Sequence, residues 1–109
     1  MLTSRFDSQS NTLTFFFKGS LDTVQSAADA DAVTAALDQA PAGTAAALAK
    51  PLRAIFDLKA VDYVSSAFFR ICLGTAKRVR QGNFAIVNAP PAVTQLLKIA
   101  GMDGFLGAL

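Results

Sequence analysis

Ser65 and Ser66 are adjacent hydroxyls at the junction of a strand-like and a helix-like stretch, with Asp57 and Asp62 shortly before them. Leu52 to Leu58 is a nearly unbroken apolar run of strand length, Lys59 to Val64 reads as a mixed loop, and an amphipathic pattern begins at the serines. A hydroxyl at a helix N-terminus either caps the helix by accepting a backbone N–H bond or stands exposed and open to phosphorylation. Two adjacent serines allow both roles. A carboxylate nearby can orient such a hydroxyl or help hold Mg²⁺ supplied with a partner's nucleotide, in which case the serine is a substrate.

The rest of the composition narrows the chemistry. The 109 residues contain no histidine, which removes His-based acid–base catalysis, Ser-His-Asp triads and every His-containing metal site. Asp57 and Asp62 would need a substrate pocket to act as a catalytic pair, and nothing else in so short a chain suggests one, so neither an enzyme nor a cofactor is expected. Asp29, Asp31 and Asp38 fall between apolar helical positions and are expected to face solvent rather than hold a metal. Cys72 is the single cysteine, so no intramolecular disulfide forms, and its place on the apolar side of a helix reads as a small core residue. The net charge of +2 is spread along the chain, with only Lys77, Arg78 and Arg80 clustered. There it suits the last turn of a helix ahead of Gly82, and no base-reading motif accompanies it, so no nucleic-acid partner is expected. With no signal-peptide segment and no bilayer-length apolar run, the chain is expected to be soluble, cytoplasmic and without membrane insertion. Its length and apolar content suit one domain, residues 1–109.

The elements that must position the serines follow from the chain in order. Leu2 to Asp7 and Thr12 to Lys18 are strand candidates joined by the polar group from Ser8 to Asn11, which predicts an antiparallel hairpin. Leu13, Phe15 and Phe17 share one face of the second strand. Phe16 lies on the other with Thr14 and Lys18, so that strand is expected to be covered on much of both sides. After the turn at Gly19 to Asp22, a first helix is predicted over Thr23–Ala40, apolar at Val24, Ala27, Ala28, Val33, Ala36 and Leu37, with Asp22 as an N-cap. Pro41 to Thr44 breaks it. Ala45 to Lys50 reads equally as a loop or another helical turn before Pro51. Leu52–Leu58 is the third strand, a helix runs from Ser66 to about Gln81, and Phe84–Ala89 is the fourth strand. The strand–helix–strand spacing predicts a parallel pair with a right-handed crossover, which puts the 59–65 loop at the carboxyl edge of the sheet. A last helix, Ala92–Ala100, follows Pro91, and Gly101, Gly104 and Gly107 punctuate the end.

On the helix after the serines, Phe69, Cys72, Leu73, Ala76 and Val79 form the expected core face. The opposite side carries Ala67, Ile71, Gly74 and Arg78 in line, with Arg70 and Lys77 beside it. A stripe of small and apolar residues with a basic border lets another protein approach closely. The plain alternative is that one exposed Ile has no significance.

The string DLKAVDYVSSAFFRICLGTAKRV, residues 57–79, resembles the signature of the STAS domain, the family that includes bacterial anti-sigma factor antagonists. Lys18-Gly19-Ser20-Leu21-Asp22 resembles that family's Gly-x-Leu-Asp turn, and Leu97 to Asp103 resembles its closing helix and Gly-Leu-Asp. The resemblance implies an α/β, STAS-like single domain: a mixed sheet of about four strands, an N-terminal hairpin and then parallel strand–helix–strand, packed with about four helices. It places the family's phosphorylated serine at Ser66, with Ser65 as the second choice, and the Asp22 turn near it. It further implies a surface for an anti-sigma factor made of Asp22, Asp62, Ser65, Ala67, Phe68, Arg70, Ile71, Gly74 and Arg78. Phe68 and Phe69 stand where the family has Gly and Leu. Phe68 is then either an added partner anchor or the mark of a divergent domain.

The function so implied is a partner switch. The unphosphorylated form binds an anti-sigma factor with serine kinase activity, phosphorylation of Ser66 ends the association, and a PP2C-type phosphatase resets it. The alternative within the same family is a regulatory accessory of a membrane transporter that binds without a phosphorylation cycle.

Overall fold

The alternation of Leu13, Phe15 and Phe17 with more polar neighbours builds the strand at the heart of the sheet. The computed structural model describes residues 2–7, 9–39, 52–79 and 83–106. Strand β1 (Thr3–Asp7) pairs antiparallel with β2 (Thr12–Leu21), which pairs parallel with β3 (Arg53–Val64), which pairs parallel with β4 (Phe84–Val87), in the order β1-β2-β3-β4. Helix α1 (Thr23–Gln39) follows β2, α2 (Ser66–Val79) joins β3 to β4, and α3 (Pro91–Ile99) precedes a 3-10 turn at Asp103–Phe105. The hairpin, the parallel unit and the mixed four-stranded sheet are as expected. The segment between α1 and β3 (40–51), including the undecided stretch Ala45 to Lys50, and the stop at Gly82 lie outside the described residues.

One face of the sheet carries the core. Phe15, Phe56 and Ile86 lie in register across β2, β3 and β4, and so do Leu13, Ala54 and Phe84. Val33 and Leu37 of α1, Phe68, Cys72, Ala76 and Val79 of α2, and Val93 and Leu97 of α3 complete the same cluster. Phe56 is its centre: its ring meets those of Phe17 and Phe84 at 4.8 Å, Phe15 at 5.5 Å and Phe68 at 5.9 Å, mostly edge to face, the arrangement the ring quadrupole favours. Phe16, on the opposite face, stays 39% exposed, so β2 is not covered there as expected.

Three further expectations change. Residues 59–64 are strand, not loop. Between the pairs Phe16–Asp57 and Lys18–Ala60, β3 carries one extra residue, and between Gly19–Val61 and Ser20–Tyr63 it carries Asp62. These bulges stretch the inward spacing from two residues (Ala54, Phe56, Leu58) to three (Val61, Val64), which hides the strand from a period-two reading. Gly19, at φ +81°, meets the local twist in a left-handed conformation natural to glycine.

The core face of α2 is also turned by about one residue. Phe68 rather than Phe69 is fully buried, and Leu73 is 46% exposed. The helix starts two residues after the buried Val64, and that short link, not the apolar count, sets its rotation. On α1 the core edge is Ser26, Asp29, Val33 and Leu37, so Asp29 is buried instead of solvent-facing, while Val24 is 81% exposed. An Ala-rich helix has too weak a hydrophobic phase to reveal this. Asp29 accepts a hydrogen bond from Gln25 Nε2 at 2.9 Å through Oδ1, and its Oδ2 has no partner among the described residues.

Candidate functional site

The site is made where β2 and β3 end side by side. Leu21 pairs with Val64 as the last step of the parallel ladder, and α1 and α2 begin within two residues of these ends. Two helix N-termini therefore stand together at the carboxyl edge of the sheet, where open α/β folds place their sites. A single carbonyl joins them: Leu21 O accepts the Ser65 amide at 3.0 Å and the Ser26 hydroxyl at 3.2 Å.

Each N-terminus is closed differently. Asp22 Oδ1 accepts the Gln25 amide at 2.8 Å, a side-chain cap on α1, and the Asp22 carbonyl takes the Ser26 amide at 2.8 Å. On α2 the cap is backbone only, with Ser65 O accepting the amides of Phe68 at 3.0 Å and Phe69 at 3.3 Å. The Ser65 hydroxyl oxygen is buried without a hydrogen-bond partner among the described residues, so it does not cap. Ser66, at the first position of α2, is exposed. The two serines thus divide by accessibility.

Asp62 is exposed as the extra residue of the second bulge. Asp57 is held elsewhere: its Oδ2 accepts from Asn88 Nδ2 at 3.1 Å and its Oδ1 from the Lys59 amide at 3.0 Å, tying it to the end of β4. Four strand residues with a bulge among them lie between the two aspartates, and Asp57 is bonded toward the end of β4 while Asp62 projects from the bulge beside β2, so they are not held as a pair.

The line Ala67, Ile71, Gly74 and Arg78, with Arg70 beside it, becomes one wall of a groove of about 540 Å³. The other wall belongs to α1: Ala27, Val33 and Leu37 of its apolar positions line it, together with Thr23, Ala30 and Thr34, which carry no signal in the sequence, since Ala and Thr mark no particular face. Ser26, which lines the groove and ties α1 to Leu21, was equally hidden. Arg78 is not free there, because its guanidinium is paired with the Asp38 carboxylate of α1. Phe68 is a correction. Its ring is fully buried, 5.3 Å from that of Phe17, so it fills the core beneath the serines and offers a partner nothing to touch. The Cys72 thiol is buried as well, and desolvation pushes its pKa well above the ordinary thiol value.

Among the described residues no three acidic or cysteine side chains group as a metal site. No helix there is long and apolar enough to cross a membrane.

Comparison with known proteins supplies a frame for this arrangement. The model of the STAS domain family matches residues 5–108. No curated protein sequence matches the chain. Among solved structures, the unphosphorylated anti-sigma factor antagonist SpoIIAA superposes with a TM-score of 0.75 at 15% identity, over 97% of this chain and 85% of that one. An anti-sigma factor antagonist from Mycobacterium paratuberculosis gives 0.69 at 20% identity, over 97% and 83%. The Bacillus cell fate determinant SpoIIAA in its phosphorylated form gives 0.64 at 13% identity, over 97% and 88%.

Proposed function

The chain belongs to the STAS domain family, and from that premise we propose that it is a cytoplasmic anti-sigma factor antagonist working in a phosphorylation-controlled partner switch. In the unphosphorylated state it binds an anti-sigma factor that is also a serine kinase. That kinase transfers the γ-phosphoryl group of its ATP to Ser66: the Oγ–P bond forms, the bond to the β-phosphate breaks, ADP leaves, and a base of the kinase takes the hydroxyl proton. A PP2C-type phosphatase hydrolyses the ester and resets the cycle. The chain contributes no catalytic group of its own.

The observation that carries this reading is the exposure of Ser66 at the first position of α2, beside the α1–α2 groove. A phosphoserine brings about −1.5 to −2 of charge at neutral pH. At a helix N-terminus that charge meets free N–H groups and the positive end of the dipole, so the fold tolerates it. A partner surface fitted to a neutral hydroxyl does not: it meets a hydrated dianion that must be desolvated, and a tenfold loss of affinity needs only about 1.4 kcal/mol. Asp22, Asp62, Ala67, Arg70, Ile71 and Gly74 form the contact surface in this reading, the last four as lining of the groove.

Phosphopeptide mapping of the protein from its own cells, in growth and in stress, tests the proposal. Phosphate on Ser66 whose occupancy changes with condition is the expected result, together with partner binding retained by Ser66→Ala and weakened by Ser66→Asp. No phosphate on a fully covered 59–77 peptide, or equal binding by both variants, removes the switch.

A further inference from the structure

Arg70 lies one helical turn beyond Ser66 on α2, is exposed, and makes no ion pair or hydrogen bond among the described residues. It also lines the α1–α2 groove. There its position differs from that of Arg78, whose charge is already met by Asp38. Arg70 is therefore the uncompensated arginine of the groove among the described residues.

From this placement, and resting on the reading of Ser66 as the modified residue, we propose that Arg70 is an internal clamp for the Ser66 phosphate, so that phosphorylation also withdraws a cation from the partner-facing groove. Residues four apart on a helix have neighbouring side chains, and the acidic group is best placed on the N-terminal side, as it is here. Every helical Cα–Cβ bond tilts toward the N-terminus, so a long side chain at position 70 has the reach to meet a phosphate on the turn that holds Ser66. Guanidinium and phosphate match as a two-pronged, charge-assisted pair. The first intrahelical donors of α2 are the amides of Phe68 and Phe69, both taken by Ser65 O, and the clamp engages neither.

The switch then has two parts. Modification adds a dianion at the end of the groove, and it recruits the arginine that, among the described residues, an acidic group of a partner could otherwise pair with there. The second part extends the switch to a partner that pairs with Arg70 without touching Ser66 itself.

The test uses the full chain with phosphoserine installed at position 66 during translation, which requires neither the kinase nor the partner. The probe is the ³¹P resonance followed through the second ionisation. A nearby guanidinium favours the dianion, so the phosphate of the otherwise wild-type chain is expected to titrate at lower pH than in Arg70→Gln, by about 0.3 pH unit or more, with Arg70→Lys in between. In parallel, an arginine-selective reagent read by peptide mapping is expected to modify Arg70 readily in the unphosphorylated chain and several-fold more slowly in the phosphorylated one. Identical midpoints in wild type and Arg70→Gln, or unchanged Arg70 reactivity, overturn the clamp. Because Arg70 is exposed and unpaired among the described residues, the unphosphorylated Arg70→Gln chain should melt as wild type does. Absence of Ser66 phosphate in cells would remove the switch while leaving this chemistry measurable, so the two failures are distinct.

Discussion

The amide of Ser65 donates to the carbonyl of Leu21 at 3.0 Å, joining the start of α2 to the end of β2 through backbone alone. The side chain of Ser65 adds nothing to that tie, since its hydroxyl is buried and unpartnered among the described residues. The hydroxyl that does support the junction is that of Ser26, which is 1% exposed and donates to the same Leu21 oxygen.

The two serines should therefore respond in opposite ways to loss of their hydroxyls. Ser26→Ala gives up a buried hydrogen bond and is expected to lower the unfolding free energy by about 1 kcal/mol. Ser65→Ala removes a buried polar atom that gains nothing, and is expected to leave stability unchanged or raise it. Urea denaturation of both variants measures this. A loss for Ser65→Ala as large as that of Ser26→Ala would mean that the Ser65 hydroxyl caps α2 after all.

Phe68 supplies a second prediction, because its ring sits fully buried between Phe17 and Phe56. Phe68→Ala should cost about 3–5 kcal/mol, a large part of the stability of so small a domain. Leu73→Ala, at a position 46% exposed, should stay within about 0.5 kcal/mol. The pair sets the rotation of α2, and the sequence-based core face would have the larger loss at Leu73. Thermal melts monitored by circular dichroism decide between them.

The reason Phe68 and Leu73 exchange roles also explains which parts of the molecule were legible in the sequence. Leu13, Phe15 and Phe17 alternate strictly, and the hairpin, the order of elements and the parallel unit follow from patterns of that kind. Beyond Leu58 the bulges stretch β3 to a spacing of three, and a local pattern then resembles a loop. The site divides in the same way. Ser66 at a helix start, and the stripe from Ala67 to Arg78, are properties of one helix and can be read from it. The α1 wall of the groove, the burial of Asp29 and the Ser26–Leu21 tie depend on how two elements meet, and Ala, Ser and Thr bear no mark of that in sequence.

Asp22 unites both kinds of information, being a candidate contact residue and the cap of α1 through the Gln25 amide at 2.8 Å. Asp22→Ala is expected to cost about 1 kcal/mol, whereas Asp22→Asn keeps a capping oxygen and should be close to neutral. Any loss of partner binding by Asp22→Asn is then a matter of charge at the surface and not of a disturbed helix. Chemical denaturation of the two variants, run beside binding to the partner, separates these contributions. Equal destabilisation by both would show that the cap depends on charge.

Cys72 is fully buried and its thiol is held well above the ordinary range by desolvation, so the native state keeps its proton at a pH where the unfolded chain has lost it. The unfolded state then binds fewer protons than the native state, and the unfolding free energy must fall as pH rises. The contribution is fully present below the unfolded thiol pKa of about 8.5 and declines above it, by at most about 1.4 kcal/mol per pH unit until the native thiol itself ionises. Cys72→Ala should remove this part of the alkaline decline, at the cost of a small cavity, while leaving the profile below pH 8 parallel to wild type. Denaturation midpoints measured from pH 6 to 10 for both proteins provide the check. In the same range a thiol reagent should react with Cys72 only as fast as the chain opens, and immediate reaction in the native state would contradict the burial on which the slope depends.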